Sequence, residues 1–167
     1  MQQKVNRTAS FNLSWAEFKA GFGRNDSNYW LGNDEIHRLT KDGGYKLRID
    51  LQQKYTDKWF WVEYDKFIVG DEASNYIMTL GEFSGNTADA LTSYNNGGMF
   101  ATYDRDNDVW VTGKQSNSSC AILTRGGFWF RGCGIGFPNG GLGSFHWLGL
   151  PGAQQYLKTC RMSLICV

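Results

Sequence analysis

From Gly81 to Gly143 the chain carries almost no regular hydrophobic period. Gly, Asn, Asp and Ser dominate there, broken by aromatic islands such as Phe128-Trp129-Phe130. So long a stretch outside helix and strand loses backbone entropy with no hydrogen-bonded ladder to offset it, and in folded domains it usually carries function or a metal. The composition agrees. With 21 Gly against 2 Pro, and seven Trp, the chain suits a loop-rich fold whose turns need positive φ and whose small sheets are covered by large rings. At 167 residues it reads as one domain, 1–167, with a real core.

The regular pattern lies before and after that stretch. Ser14-Trp15-Ala16-Glu17 is a capping box. The helix it starts presents Trp15 and Phe18 on one side and stops near Gly21 or Gly23. A second short helix begins at Asn33 and turns Ile36 and Leu39 inward. Tyr45 to Leu51 alternates without a fault, so Tyr45, Leu47, Ile49 and Leu51 share a face. Trp59 to Val69 and Tyr76 to Leu80 are rich in aromatic and branched residues and read as strands. Met162 to Ile165 reads as a closing strand. The expected class is α+β: an antiparallel sheet with short helices, followed by a loop-rich region.

Charge and motifs exclude several functions. The 17 basic and 16 acidic residues form no stripe or run, so neither nucleic acid nor an anionic membrane is expected as a partner. No stretch of about 18 apolar residues would span a bilayer. Met1 leads straight into Gln2-Gln3-Lys4, so the leader of a secreted protein would lie outside this chain. His37 and His146 lack metal-pair spacing, and no nucleophile elbow, P-loop or dinucleotide fingerprint occurs. No catalytic residues and no enzyme are expected. Sequons at Asn6, Asn12, Asn25 and Asn117 favour a secreted glycoprotein, and four Cys allow two disulfides in three pairings.

Asp104-Arg105-Asp106-Asn107-Asp108 sets three carboxylates at alternate positions. Such oxygens converge on one Ca²⁺ if the chain curls around it; the alternative is a solvated Asx-turn. An EF-hand is excluded, because its sixth position holds Val109 and its twelfth Gln115.

Ordered blocks across the chain resemble the fibrinogen-related domain family, that is, the fibrinogen C-terminal globular domain and the ficolin- and tachylectin-like lectins. They are WAEFKAGFG from Trp15, WLGNDEIH from Trp30, YKLRIDL from Tyr45, Phe100 to Asp104 running into Asp106-Asn107-Asp108, Cys120-Ala121, Phe128-Trp129-Phe130 and Cys133. The resemblance implies a Ca²⁺ cofactor on Asp106 and Asp108, with carbonyls from the following loop and Asp104 in support. It implies a disulfide between Cys120 and Cys133, hence an oxidising, extracellular setting; a loop of about 15 residues so closed adds roughly 3 kcal/mol. Two buried thiols are the competing reading. Cys160 and Cys166 on one extended strand would stand roughly 20 Å apart and pair only if the chain turned back; otherwise they seek a partner in the missing segment or another chain.

In the lectin members a pocket beside the calcium loop takes acetyl groups. Carried over by position, its residues are Phe128, Phe130, Gly132, Cys133, Gly134, Phe145 and Trp147, with a strained Gly132–Cys133 peptide bond and exposed amides at Gly132 to Gly134 as donors. Plain core packing is the competing reading for the rings. The family's His after the second Cys is replaced by Gly134, and its Tyr after the first by Thr124. The stretch from Asn139 to Trp147 is shortened, and the opening segment with its own Cys pair does not precede Met1. The expected function is a secreted calcium-binding lectin of innate-immune type for N-acetylated glycans. The alternative is a protein-binding module of a receptor ligand, matrix or clotting-type assembly, with homo-oligomerisation left open.

Overall fold

The computed structural model describes residues 1–5, 10–108, 119–153 and 155–167. In chain order its elements are β1 (Gln2–Lys4), α1 (Trp15–Ala20), β2 (Phe22–Gly23), β3 (Tyr29–Trp30), α2 (Asn33–Thr40), β4 (Tyr45–Gln53), β5 (Trp59–Tyr64), β6 (Phe67–Val69), β7 (Met78–Leu80), β8 (Phe83–Gly85), β9 (Met99–Ala101), α3 (Cys120–Thr124), β10 (Phe128–Phe130) and β11 (Leu157–Cys166). One antiparallel sheet has the order β2-β3-β1-β11-β4-β5-β8, and two small hairpin-like sheets pair β9 with β10 and β6 with β7. The expected α+β class is thus observed.

The alternation of β4 does what its pattern requires. Leu47, Ile49 and Leu51 are fully buried, opposite Tyr64, Val62 and Phe60 of β5, while Lys46, Arg48 and Asp50 face out. The strand expected to close the fold is instead the centre of the large sheet. β11 pairs with β4 from Leu157↔Gln53 to Cys166↔Tyr45 and with β1 on its other side. Along β1, Gln2 and Lys4 point inward. Gln2 donates to Pro138 O and Asn139 Oδ1, and Lys4 Nζ donates to Gly140 O at 2.9 Å while facing the rings of Phe11 and Phe145.

The local readings hold with three adjustments. Both halves of the capping box form, and α1 ends at Gly21 with φ 90°. On α2 the residues facing in are Ile36 and Thr40; Leu39 is only half-buried. Thr40 Oγ1 donates to Ile36 O and accepts Val69 N–H, which ties the helix to β6. The single strand read from Trp59 to Val69 is two. Exposed Asp65 and Lys66 interrupt it, and Asp65 Oδ1 accepts the amide of Glu82, sending β5 into the large sheet and β6 into its own hairpin. Tyr76 lies outside β7 at φ 51°, because the Asp71 cap has already turned the chain through Glu72–Ser74.

Rings fill the space between the sheets. Phe100 lies 5.1 Å from Phe18, 5.7 Å from Trp30, 5.2 Å from Trp129 and 6.3 Å from Trp15. Truncating Phe100 to Ala is expected to lower stability by about 3–5 kcal/mol in denaturant melts. The exposed Trp59→Ala should stay within about 0.5 kcal/mol of wild type.

Candidate functional site

The acidic loop leaves β9 through a tight turn in which Thr102 and Arg105 exchange backbone hydrogen bonds. Its alternate side chains have separate duties. Asp104 Oδ1 accepts the Trp15 amide at the start of α1 (2.9 Å) and the Thr102 hydroxyl (2.7 Å). It holds a donor that a helix N-terminus leaves unsatisfied, so it supports the loop. Arg105 turns away, its guanidinium 4.0 Å from the Trp15 ring and donating to Asn75 Oδ1. Asn107 Nδ2 donates to Phe100 O.

Asp106 and Asp108 remain together. Asp106 Oδ1 accepts the Asp108 amide, and Asp108 Oδ2 accepts the Cys120 amide at 2.8 Å, where α3 begins. Partial burial, reinforced by the negative charge of Asp108, holds the Asp106 carboxyl above the usual range. Asp106 makes no ion pair among the described residues. Ser119 Oγ, next to Cys120, is buried without a hydrogen-bond partner among them. Crowded carboxylates beside an orphaned hydroxyl oxygen fit the hard-oxygen preference of Ca²⁺. Among the described residues no group of three or more His, Cys, Asp or Glu side chains gathers to hold a metal, so further donors would be backbone oxygens or hydroxyls. The loop expected to give carbonyls, 109–118, lies outside the described residues, as do sequon positions Asn6 and Asn117; Asn12 and Asn25 are exposed.

Cys120 and Cys133 are disulfide-bonded, with Cα atoms 4.9 Å apart. Cys160 and Cys166 both lie on extended β11 and are free thiols, Cys160 buried beside Lys4 and Cys166 exposed. Burial pushes the Cys160 thiol up.

The expected pocket wall is corrected. Phe128, Phe130 and Phe145 are 1% exposed and Trp147 is 0%, so all four rings are core. The reason is local. β10 is covered on both faces, and Trp147 is drawn inward by its indole N–H, which donates to Ala88 O. Gly132 is not a spare donor either, since its amide donates to Tyr94 O at 3.2 Å. The Gly132–Cys133 peptide bond is trans. Thr124 lies buried with its hydroxyl donating to Cys120 O.

What remains at the disulfide is smaller and more polar. The amides of Cys133 and Gly134, both half-buried, have no hydrogen-bond partner among the described residues. Beside Gly134, at φ 83°, a Cβ would lie 3.1 Å from Asn95 Oδ1 and 3.3 Å from Tyr94 Cβ. Asn95 Oδ1 is itself buried and unpaired, while Tyr94 is 44% exposed. Tyr94 and Asn95 therefore fill the space that a side chain at 134 would take. Nothing in the run 94–98, Tyr-Asn-Asn-Gly-Gly, points in the sequence to the disulfide.

A thiol reagent should modify Cys166 alone in the native oxidised domain, reach Cys160 on unfolding, and reach Cys120 and Cys133 only after reduction. Rapid native labelling at Cys120 or Cys133 would contradict the arrangement.

Residues 1–165 match the family model for the C-terminal globular domain of fibrinogen beta and gamma chains. Fibrinogen-like protein A of Apostichopus parvimensis is 37% identical over 98% of this chain and 58% of its own length. Human ficolin-3 is 36% identical over 79% of this chain and 42% of its own. The chain thus spans roughly half the length of these curated relatives. The fibrinogen-like globe domain of human ANGPTL2 superposes with a TM-score of 0.86 at 31% identity, over 99% of this chain and 78% of that one. The chain belongs to the fibrinogen C-terminal globular domain family.

Proposed function

We propose that this chain is a secreted, calcium-binding recognition domain that takes N-acetylated glycans beside the Cys120–Cys133 disulfide and performs no catalysis. The observation that carries the reading is the pair of amides at Cys133 and Gly134, without a hydrogen-bond partner among the described residues, next to the exposed Tyr94. An acetamido group needs donors for its carbonyl and an apolar surface for its methyl, and these supply both. Asp106 and Asp108 would hold Ca²⁺, which would neutralise their mutual repulsion and brace the chain running into Cys120. His37, the residue nearest to a catalytic candidate by type, is occupied with Val69 O at 2.9 Å. Exposed sequons at Asn12 and Asn25 accord with a secretory route.

Asp106→Asn separates the two halves of the calcium argument. The folded carboxyl sits above its unfolded value, so the folded state holds its proton more tightly. Wild-type stability should fall as pH rises from the ordinary carboxylate range through the raised value. In chelator at neutral pH the Asn variant should therefore melt higher than wild type, and the difference should vanish in acid. With calcium in excess, wild type should gain stability by mass action, about 2.7 kcal/mol at a hundredfold excess over Kd, and the variant should not. A wild-type midpoint indifferent to calcium removes the site.

Glycan recognition is read by titrating N-acetylglucosamine, with calcium, against backbone amide shifts. The Cys133 and Gly134 signals should move, with affinity in the millimolar range, about −4 kcal/mol. If saturating sugar leaves both unmoved, the protein-binding module takes the lectin's place.

A further inference from the structure

The segment that loses two expected pocket rings to the core opens a different cavity on its other side. Residues 145–148 form the middle of three short extended stretches: Gly136 bridges Trp147, and His146 bridges Tyr156. Side chains alternate across such a ribbon. Phe145 and Trp147 go inward, and His146 and Leu148 go outward. There they line a cavity of about 310 Å³ with Gly143, Ala153, Gln155 and Tyr156. Neither the disulfide nor the acidic loop contributes to it.

We propose that this cavity is a second ligand subsite, taking one uncharged pyranose ring stacked on Tyr156. The inference goes beyond the acetyl-site reading and shares with it only the class of ligand. Size argues first. Small-molecule sites span about 300–1,000 Å³, so this one is of the size that a single sugar ring fills.

The lining argues for the class. Among the described residues it contains no Asp, Glu, Lys or Arg, so none of these would compensate a charged ligand on burial. Tyr156 is 39% exposed and Leu148 40%, which offers an aromatic and an aliphatic surface to the C–H face of a sugar. The imidazole of His146 stands edge-on at 6.4 Å from Tyr156 and 4.8 Å from Phe137, which fixes its plane. Neither ring nitrogen has a hydrogen-bond partner among the described residues. Burial lowers the imidazole pKa, so at neutral pH one nitrogen donates and the other accepts, the pair of roles that neighbouring hydroxyls require.

Gln155 has another task. Its Oε1 accepts the Gly149 amide, and its Nε2 donates to Leu150 O and Gly152 O, which makes the 149–152 turn a preformed wall.

The test is a titration of the whole oxidised domain with methyl β-glucoside, N-acetylglucosamine and glucuronate, followed by amide shifts and the His146 ring signals. A neutral sugar should move His146, Leu148 and Tyr156. Glucuronate should bind no more tightly than the glucoside. Tyr156→Phe should stay within about twofold of wild type and Tyr156→Ala should lose about tenfold or more. Ala153→Trp, at an exposed position on the rim, should block the cavity and leave the Cys133 and Gly134 responses intact. Shifts at Cys133 and Gly134 with none at His146 and Tyr156 would overturn the second subsite and leave the acetyl site standing. Shifts at His146 that Tyr156→Ala and Ala153→Trp leave unchanged would overturn it as well.

Discussion

The fold depends on indole N–H groups that find acceptors on other elements and turns. Trp129 donates to Tyr76 O at 2.7 Å, Trp147 to Ala88 O, Trp30 to Phe18 O and Asn33 Oδ1, and Trp15 to Glu72 Oε1. A buried indole without an acceptor would lose the hydration of its N–H for nothing in return. Trp129 and Trp147 therefore fill volume and also select the position of a loop. This is how a region with little secondary structure is held in one conformation. Even the left-handed backbone at Tyr76 is explained this way, since it aims a carbonyl at Trp129.

The same rings constrain where recognition can occur. Because the aromatic islands are consumed by the core, the surface at the disulfide is built from backbone amides and the Tyr94–Asn95 turn. Its electrostatics come from one side. Asp104 is spent on α1 and Arg105 on Trp15, and Asp106 is left partly buried beside the negative charge of Asp108. The Ca²⁺ proposed for Asp106 and Asp108 would make the stability of this loop respond to that ion.

Much of this was legible in the residue pattern, for identifiable reasons. Capping boxes and period-two alternation are local, so α1 and β4 follow directly from Ser14, Glu17 and Leu47 to Leu51. Three quantities are not local. Whether an aromatic run is pocket or core depends on what covers it, so Phe128, Phe130, Phe145 and Trp147 were open to either reading. The role of Asn95 depends on Gly134, which is remote in the chain. The break at Asp65 depends on an amide at Glu82. Pattern reads one face of an element, and these residues answer to a second element.

The central place of β11 has a consequence for synthesis. Its partners are β4 and β1, and the Met1 ammonium group donates to Met162 O. The middle of the large sheet thus joins strands that lie far apart in sequence. While a ribosome is still making the preceding residues, β1 and β4 have both edges of an empty slot and nothing to fill it. Contacts of such sequence separation close slowly, and open strand edges are the groups most prone to wrong pairing. Completion of the domain must therefore wait for release of Leu157–Cys166 from the exit tunnel, and a chain truncated before that strand would be a client for chaperones and not a smaller version of the fold.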